Sequence, residues 1–205
     1  MKKILCFGDS NTFGFIPENG KRYPENIRWT GKLGRLLGAS YEIVEAGCNN
    51  RTCFSDNPAG FEQTGYKILP SLLSVDLDCV VLAIGINDLQ SFFRPNSLQI
   101  KNGVENMVKI VRKKCPSAKI LLLSPSVLTQ DILSSFFAGM FDEVSIDFSH
   151  KLAEIYRKIA DENDCRFLDL NLIAKVSKID GLHYEPEAHE QIAHAVFGKI
   201  AEICP

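Results

Sequence analysis

The chain lacks any apolar run near the roughly 20 residues that a bilayer crossing needs, so no segment reads as a membrane span. It lacks a Cys-x-x-Cys pair, which excludes the common zinc and dithiol arrangements. Its seven cysteines are odd in number and irregular in spacing. Cys6, Cys79 and Cys165 fall in or beside apolar runs, so they read as free buried thiols of a cytoplasmic protein. An excess of one charge is missing too. Lys and Arg number 23 against 25 Asp and Glu, a net charge of −2 spread along the chain. That excludes a nucleic-acid-binding stripe and an acidic tail. No Gly-x-Ser-x-Gly elbow occurs, so the α/β-hydrolase reading has no motif to rest on. The opening Met1-Lys2-Lys3 and Ile4–Phe7 form too short an apolar stretch for a signal peptide, with no small-residue cleavage site after it.

Metal and cofactor signatures are absent as well. The pair His189 and His194 is five residues apart and does not share a helix face; it reads as a surface pair. His150 reads as solvated, mid-helix. Gly14–Lys21 has the wrong spacing for a phosphate loop, and Arg22 stands where Ser or Thr belongs. No metal and no cofactor is expected.

At 205 residues and 45% apolar, the chain is long enough for a large core and reads as one domain over 1–205. Five short apolar runs read as strands: Ile4–Phe7, Tyr41–Glu45, Cys79–Ile84, Lys119–Leu123 and Arg166–Leu170. Between them lie helical patterns. Ile100, Val104, Met107, Val108 and Val111 form one stripe, and Val144, Phe148, Leu152, Ile155 and Ile159 another. A last helix has Pro186 in its first turn and Ala188, Ile192, Val196 and Ile203 on one face. Trp29–Leu37 and Gly65–Leu73 are shorter candidates. The alternation predicts an α/β fold, a parallel sheet with helices on both faces. In such sheets ligands bind at the carboxyl ends of the strands.

Four strand exits carry polar or glycine-containing clusters. They are Asp9-Ser10-Asn11, Ala46–Thr52, Gly85-Ile86-Asn87-Asp88 and Asp180-Gly181-Leu182-His183. Together they suit acyl transfer. Ser10 is the candidate nucleophile, and a serine hydroxyl needs a base to take its proton. His183 is the candidate base and Asp180 the group that orients it. The backbone N–H of Ser10, the N–H of Gly47 and the side-chain amide of Asn87 are candidate oxyanion donors. Gly47 suits this because a missing Cβ admits a ligand closely. Asp88 reads as an Asx-turn scaffold, and Asp169 as a weaker rival to Asp180. Two apolar loops, Leu89–Pro95 and Ser124–Met140, either wall a pocket or meet a second subunit. Asn11, Trp29, Phe92 and Phe136 are the candidate substrate contacts.

These four blocks resemble the SGNH hydrolases, the GDSL esterase/lipase family, whose serine, glycine, asparagine and histidine fall in the same order. The longer runs Gly8–Gly14 and Arg28-Trp29-Thr30-Gly31 resemble its arylesterase/acyltransferase branch. Two positions depart from the pattern: Asn11 replaces the usual leucine, and Asn50 stands where a second glycine is expected. Asn tolerates a left-handed backbone, so that turn is expected to survive. The resemblance implies a three-layer α/β/α flavodoxin-like fold with a five-stranded parallel sheet. It also implies hydrolysis or transfer of short acyl groups from small-molecule esters, often by homo-oligomers. Two other readings stay open: a non-catalytic carbohydrate- or ligand-binding module, and a phosphate or nucleotide binder using Asp9–Thr12.

Overall fold

The computed structural model describes residues 1–205. Five strands pair in parallel: β1 Lys2–Gly8, β2 Tyr41–Gly47, β3 Cys79–Ala83, β4 Lys119–Leu123 and β5 Arg166–Leu168. Their order across the sheet is β2-β1-β3-β4-β5. The first strand is therefore interior, and its run Ile4–Phe7 is fully buried.

Alternation along the strands divides the core. Leu5, Phe7, Val80, Leu82, Ile120 and Leu122 face one side. There they meet α3 (Gly65–Leu72), α4 (Ser97–Lys114) and α5 (Glu143–Glu162) through side chains such as Met107, Val111, Tyr156 and Ile159. Ile4, Cys6, Cys79, Val81, Leu121 and Leu123 face the other side. There α2 (Trp29–Leu37) and α6 (Pro186–Ile203) cover them with Trp29, Leu33, Ile192, Val196 and Ile200. The period of two along each strand thus produces the three α/β/α layers. Asn96 and Asp142 close capping boxes at α4 and α5, fixing where those helices begin.

The chain leaves β1 for β2 on one side and reaches β3 on the other. The strand order reverses between β1 and β3, which opens a crevice at their carboxyl ends. A one-turn helix, α1 (Ser10–Phe13), follows β1, and a 3₁₀ turn at Asn87–Leu89 follows β3. Both flank that crevice.

Element ends differ from the pattern reading in places. β2 continues to Gly47, which pairs with Gly8, so Gly47 lies in the strand and not in the loop after it. β5 stops at Leu168 because Asp169 caps a 3₁₀ turn over Leu170–Leu172. The Ser124–Met140 connection is largely folded. It holds a 3₁₀ turn at Gln130–Ser134 and buries Leu128 and Ile132 in the larger core. The Ser91 N–H donates to the Met140 carbonyl at 2.8 Å, tying the two apolar loops together. All seven cysteines are unpaired, and all but Cys48 are buried. No helix is long and apolar enough to cross a membrane.

Candidate active site

Ser10 is the first residue of α1. The Asp9 carboxylate caps this turn by accepting from the Asn11 N–H at 2.9 Å, and Gly14 closes it in the left-handed region. The hydroxyl is thereby anchored to the interior strand of the sheet. Ser10 Oγ lies 2.7 Å from His183 Nε2, and His183 Nδ1 lies 2.6 Å from Asp180 Oδ2. With Nδ1–H donating to the carboxylate, Nε2 is left as acceptor for the serine O–H. Ser10 is 4% exposed and His183 1%.

The Asp180–His183 turn is fixed from several directions. Asp180 Oδ1 accepts from the N–H groups of Leu182 and His183 at 3.0 and 2.9 Å. Gly181 sits at φ +68°, where a Cβ would also come within 2.5 Å of the Ile132 nitrogen. The Thr129 N–H donates to the Gly181 carbonyl at 3.1 Å, so the long apolar loop braces this turn. Burial pushes the Asp180 carboxyl up. The His183 hydrogen bond and charge and the two backbone N–H groups outweigh this and hold it below the usual carboxylate range. It remains ionised beside the imidazole.

The candidate oxyanion donors lie at neighbouring strand ends. Asn87 Nδ2 donates one hydrogen to the Arg51 carbonyl at 3.1 Å and keeps a second for another acceptor. Gln90 holds the other end of that amide, its Nε2 reaching Asn87 Oδ1 at 3.2 Å and Asn50 Oδ1 at 2.7 Å. Gly47 is a glycine for a different reason from the expected one. A Cβ there would fall 2.1 Å from the Phe13 nitrogen, so α1 and not a ligand occupies the space. Asn50 adopts φ +61°, the left-handed conformation that replaces the second glycine.

Several surrounding residues are scaffold. The Arg51 guanidinium donates to the carbonyls of Gly8 and Ala46 at the ends of β1 and β2. Asp88 is no Asx turn. Its buried carboxylate accepts from the N–H groups of Cys53, Phe54 and Ser55 and shapes the loop after β2. Burial raises its pKa against those three bonds. Burial likewise raises Asp9 to about 7. Asp169 accepts from the Ser124 hydroxyl and the Asn171 N–H, away from His183. In Arg28–Gly31, Arg28 makes a two-pronged bond to Glu45 at 2.6 Å per oxygen, and Thr30 donates to the same carboxylate. That block docks α2 onto β2.

The expected substrate contacts lie in different settings. Trp29 is 2% exposed inside the smaller core and offers a ligand no surface. Asn11 directs its Nδ2 to the Leu182 carbonyl at 3.2 Å, bridging α1 to the segment of the base. Phe92 and Phe136 are 77% and 92% exposed, each edge-on to its neighbour, Phe93 or Phe137. The rings that do reach the site are Phe15, stacked on His183 at 4.1 Å, and Phe137, tilted at 5.2 Å. Nothing periodic marks Phe15, because its contact exists only once the sheet is assembled. His189 is also corrected. It is buried, and its Nδ1 accepts the Trp29 N–H at 3.3 Å, while His194 stays exposed. Burial lowers the His189 pKa to about 4.

The GDSL-like lipase/acylhydrolase family model matches residues 6–191. The native aryl esterase of M. smegmatis has 30% identity and a TM-score of 0.92, over 99% of this chain and 100% of its own. Est24, a carbohydrate acetylesterase from Sinorhizobium meliloti, has 32% identity and a TM-score of 0.92, over 98% and 99%. A lipase/acylhydrolase from Enterococcus faecalis, 17% identical over 98% and 96% of the two chains, shares the fold at a TM-score of 0.69. No curated protein matches the chain by sequence. The family match spans all four blocks from the serine to the histidine, so the chain belongs to the GDSL-like lipase/acylhydrolase family and is a carboxylic ester hydrolase of the SGNH fold.

Proposed function

We propose that this hydrolase cleaves esters of short acyl groups through a covalent acyl-enzyme on Ser10. The observation that carries the reading is the relay Ser10 Oγ–His183 Nε2–Asp180, with steps of 2.7 and 2.6 Å. As Oγ attacks the ester carbonyl, Nε2 takes its proton, and Asp180 stabilises the imidazolium that forms. The carbonyl oxygen becomes an oxyanion, bonded by the N–H groups of Ser10 and Gly47 and the second hydrogen of Asn87 Nδ2. Collapse of this intermediate breaks the bond to the alcohol, which leaves with the proton from His183. Water, or a second alcohol in acyl transfer, then attacks the acyl carbon by the reverse steps.

The leaving alcohol must pass His183, whose ring lies against Phe15 and Phe137. Those rings support an apolar or aromatic alcohol. Gln90 ties Asn87 to Asn50, and α1 packs closely on Gly47; this crowding beside the candidate oxyanion donors supports a short acyl chain. The unpaired thiols support a reducing compartment such as the cytoplasm. Residues 1–205 act as one catalytic unit.

A panel of p-nitrophenyl esters tests this, with kcat/KM expected to be highest for acetate and to fall with chain length. Ser10→Ala is expected to lose at least about 10³ in kcat while keeping its fold, and to escape labelling by a fluorophosphonate. Full activity in that variant refutes the mechanism.

A further inference from the structure

Between α1 and Tyr184 lies a small space of about 20 Å³, lined among others by Asp9, Asn11, Thr12, Ser126 and Tyr184. Three polar atoms of residues at this space make no hydrogen bond within 3.5 Å: Thr12 Oγ1, Asn11 Oδ1 and Tyr184 Oη, the last with the Ser126 hydroxyl as its nearest polar neighbour. Thr12 is 1% exposed and Tyr184 2%, so bulk solvent does not satisfy them. Buried polar groups are almost always paired. A space of more than about 10–15 Å³ with two to four polar neighbours meets the requirements for one water.

We propose that a single buried water occupies this space and joins the segment carrying the nucleophile to the segment carrying the base. Tyr184 Oη donates to it, and the water donates to Asn11 Oδ1 and Thr12 Oγ1. Asn11 and Thr12 share the single turn of α1 with Ser10, and Tyr184 follows His183 directly in the chain. The water thus spans the same two segments as the bond from Asn11 Nδ2 to the Leu182 carbonyl. It holds the serine and the imidazole in register. It takes no proton and attacks no acyl group; Thr12 and Tyr184 are positioning residues. The positioning role rests on the reading of Ser10 and His183 as nucleophile and base. The water itself does not.

A crystal structure that resolves ordered solvent tests the site directly. One density peak is expected within hydrogen-bond distance of Tyr184 Oη, Thr12 Oγ1 and Asn11 Oδ1. An empty space, or a Tyr184 hydroxyl bonded directly to a protein group, overturns the proposal. Such a failure leaves the nucleophile reading untouched, since that stands or falls with Ser10→Ala. The positioning role is read from kinetics. Tyr184→Phe and Thr12→Val are each expected to lower kcat about tenfold with KM unchanged. Their double variant is expected to fall little further, since both act through one water. Thr12→Ser keeps the hydroxyl and is expected to restore kcat, which also serves should either apolar variant fail to fold. Unchanged kcat in the folded apolar variants, or additive losses in the double variant, overturns the positioning role.

Discussion

Replacing Asp180 by asparagine changes one oxygen to an NH₂ group and alters the volume hardly at all. The side chain nevertheless cannot serve both of its present partners. In the native site one carboxylate oxygen accepts from His183 Nδ1 at 2.6 Å, and the other accepts from two backbone N–H groups at 2.9 and 3.0 Å. An amide has one acceptor and one donor end. Turning its NH₂ toward the backbone leaves two buried N–H groups unpaired, at about 1–3 kcal/mol each. The amide therefore keeps its oxygen on the backbone and points NH₂ at Nδ1. That nitrogen must then be bare, the ring proton moves to Nε2, and the base meets the Ser10 hydroxyl as a donor. A wrong tautomer of this kind lowers kcat by about 10⁴, or about 5 kcal/mol of transition-state stabilisation. Asp180→Ala imposes no tautomer. It is expected to be less stable than Asp180→Asn, because the two backbone N–H groups lose their acceptor, yet more active. Initial rates on p-nitrophenyl acetate at saturating substrate, with melting temperatures alongside, read both orderings. An asparagine variant within tenfold of the native kcat, or more active than the alanine variant, refutes the reasoning.

Asn87→Ala is expected to lower kcat by about 10²–10³ with little change in KM, since the bond it removes forms fully only with the oxyanion; a raised KM with kcat unchanged would place Asn87 in ground-state binding. Gly47→Ala drives a methyl group to 2.1 Å from the Phe13 nitrogen. Overpacking of this sort costs about 1–3 kcal/mol, so scanning calorimetry should show Tm lowered by about 2–12 °C, with activity falling as α1 shifts. His189 has its pKa lowered to about 4 by burial. As pH falls from about 6.5 to about 4, the unfolded chain takes up this proton before the folded one does, so the group withdraws about 3 kcal/mol of stability across that window. Asp9, raised to about 7, acts in the opposite sense, so the difference between the native protein and His189→Asn isolates the histidine. Urea melts should show that difference shrinking toward pH 4, and a difference independent of pH would refute the assignment.

The sheet and the four polar blocks were legible because each is a local signal. An apolar run such as Cys79–Ala83 reads as a buried strand wherever it lies, and Asp180-Gly181-Leu182-His183 carries its own turn geometry. Parallel topology then brings Ser10 and His183, 173 residues apart, to one edge. Roles that depend on packing between layers were not legible. Trp29 belongs to a block that looks functional, yet α6 covers it. Phe92 and Phe136 stand in apolar loops, yet it is Phe137 that packs against the larger core and reaches His183. Gly47 was read as open to a ligand, whereas α1 fills its flank. His189 was read as exposed because a histidine pair carries no mark of which member faces the sheet. Gln90, which orients Asn87, gives no signal beyond its place one turn later.

The interior position of β1 gives the two halves of the relay different kinetic fates. The serine hangs from a strand paired on both sides, whose amides are expected to exchange with deuterium last, on opening of the sheet. His183 hangs from a segment outside the sheet, Ser177–Tyr184, held by turn hydrogen bonds and by the loop around Thr129. Under mild denaturant that segment is expected to open before the sheet does. If His183 is the base, activity is expected to be lost by its departure while Ser10 keeps its place, and to return as fast as one turn can reseat.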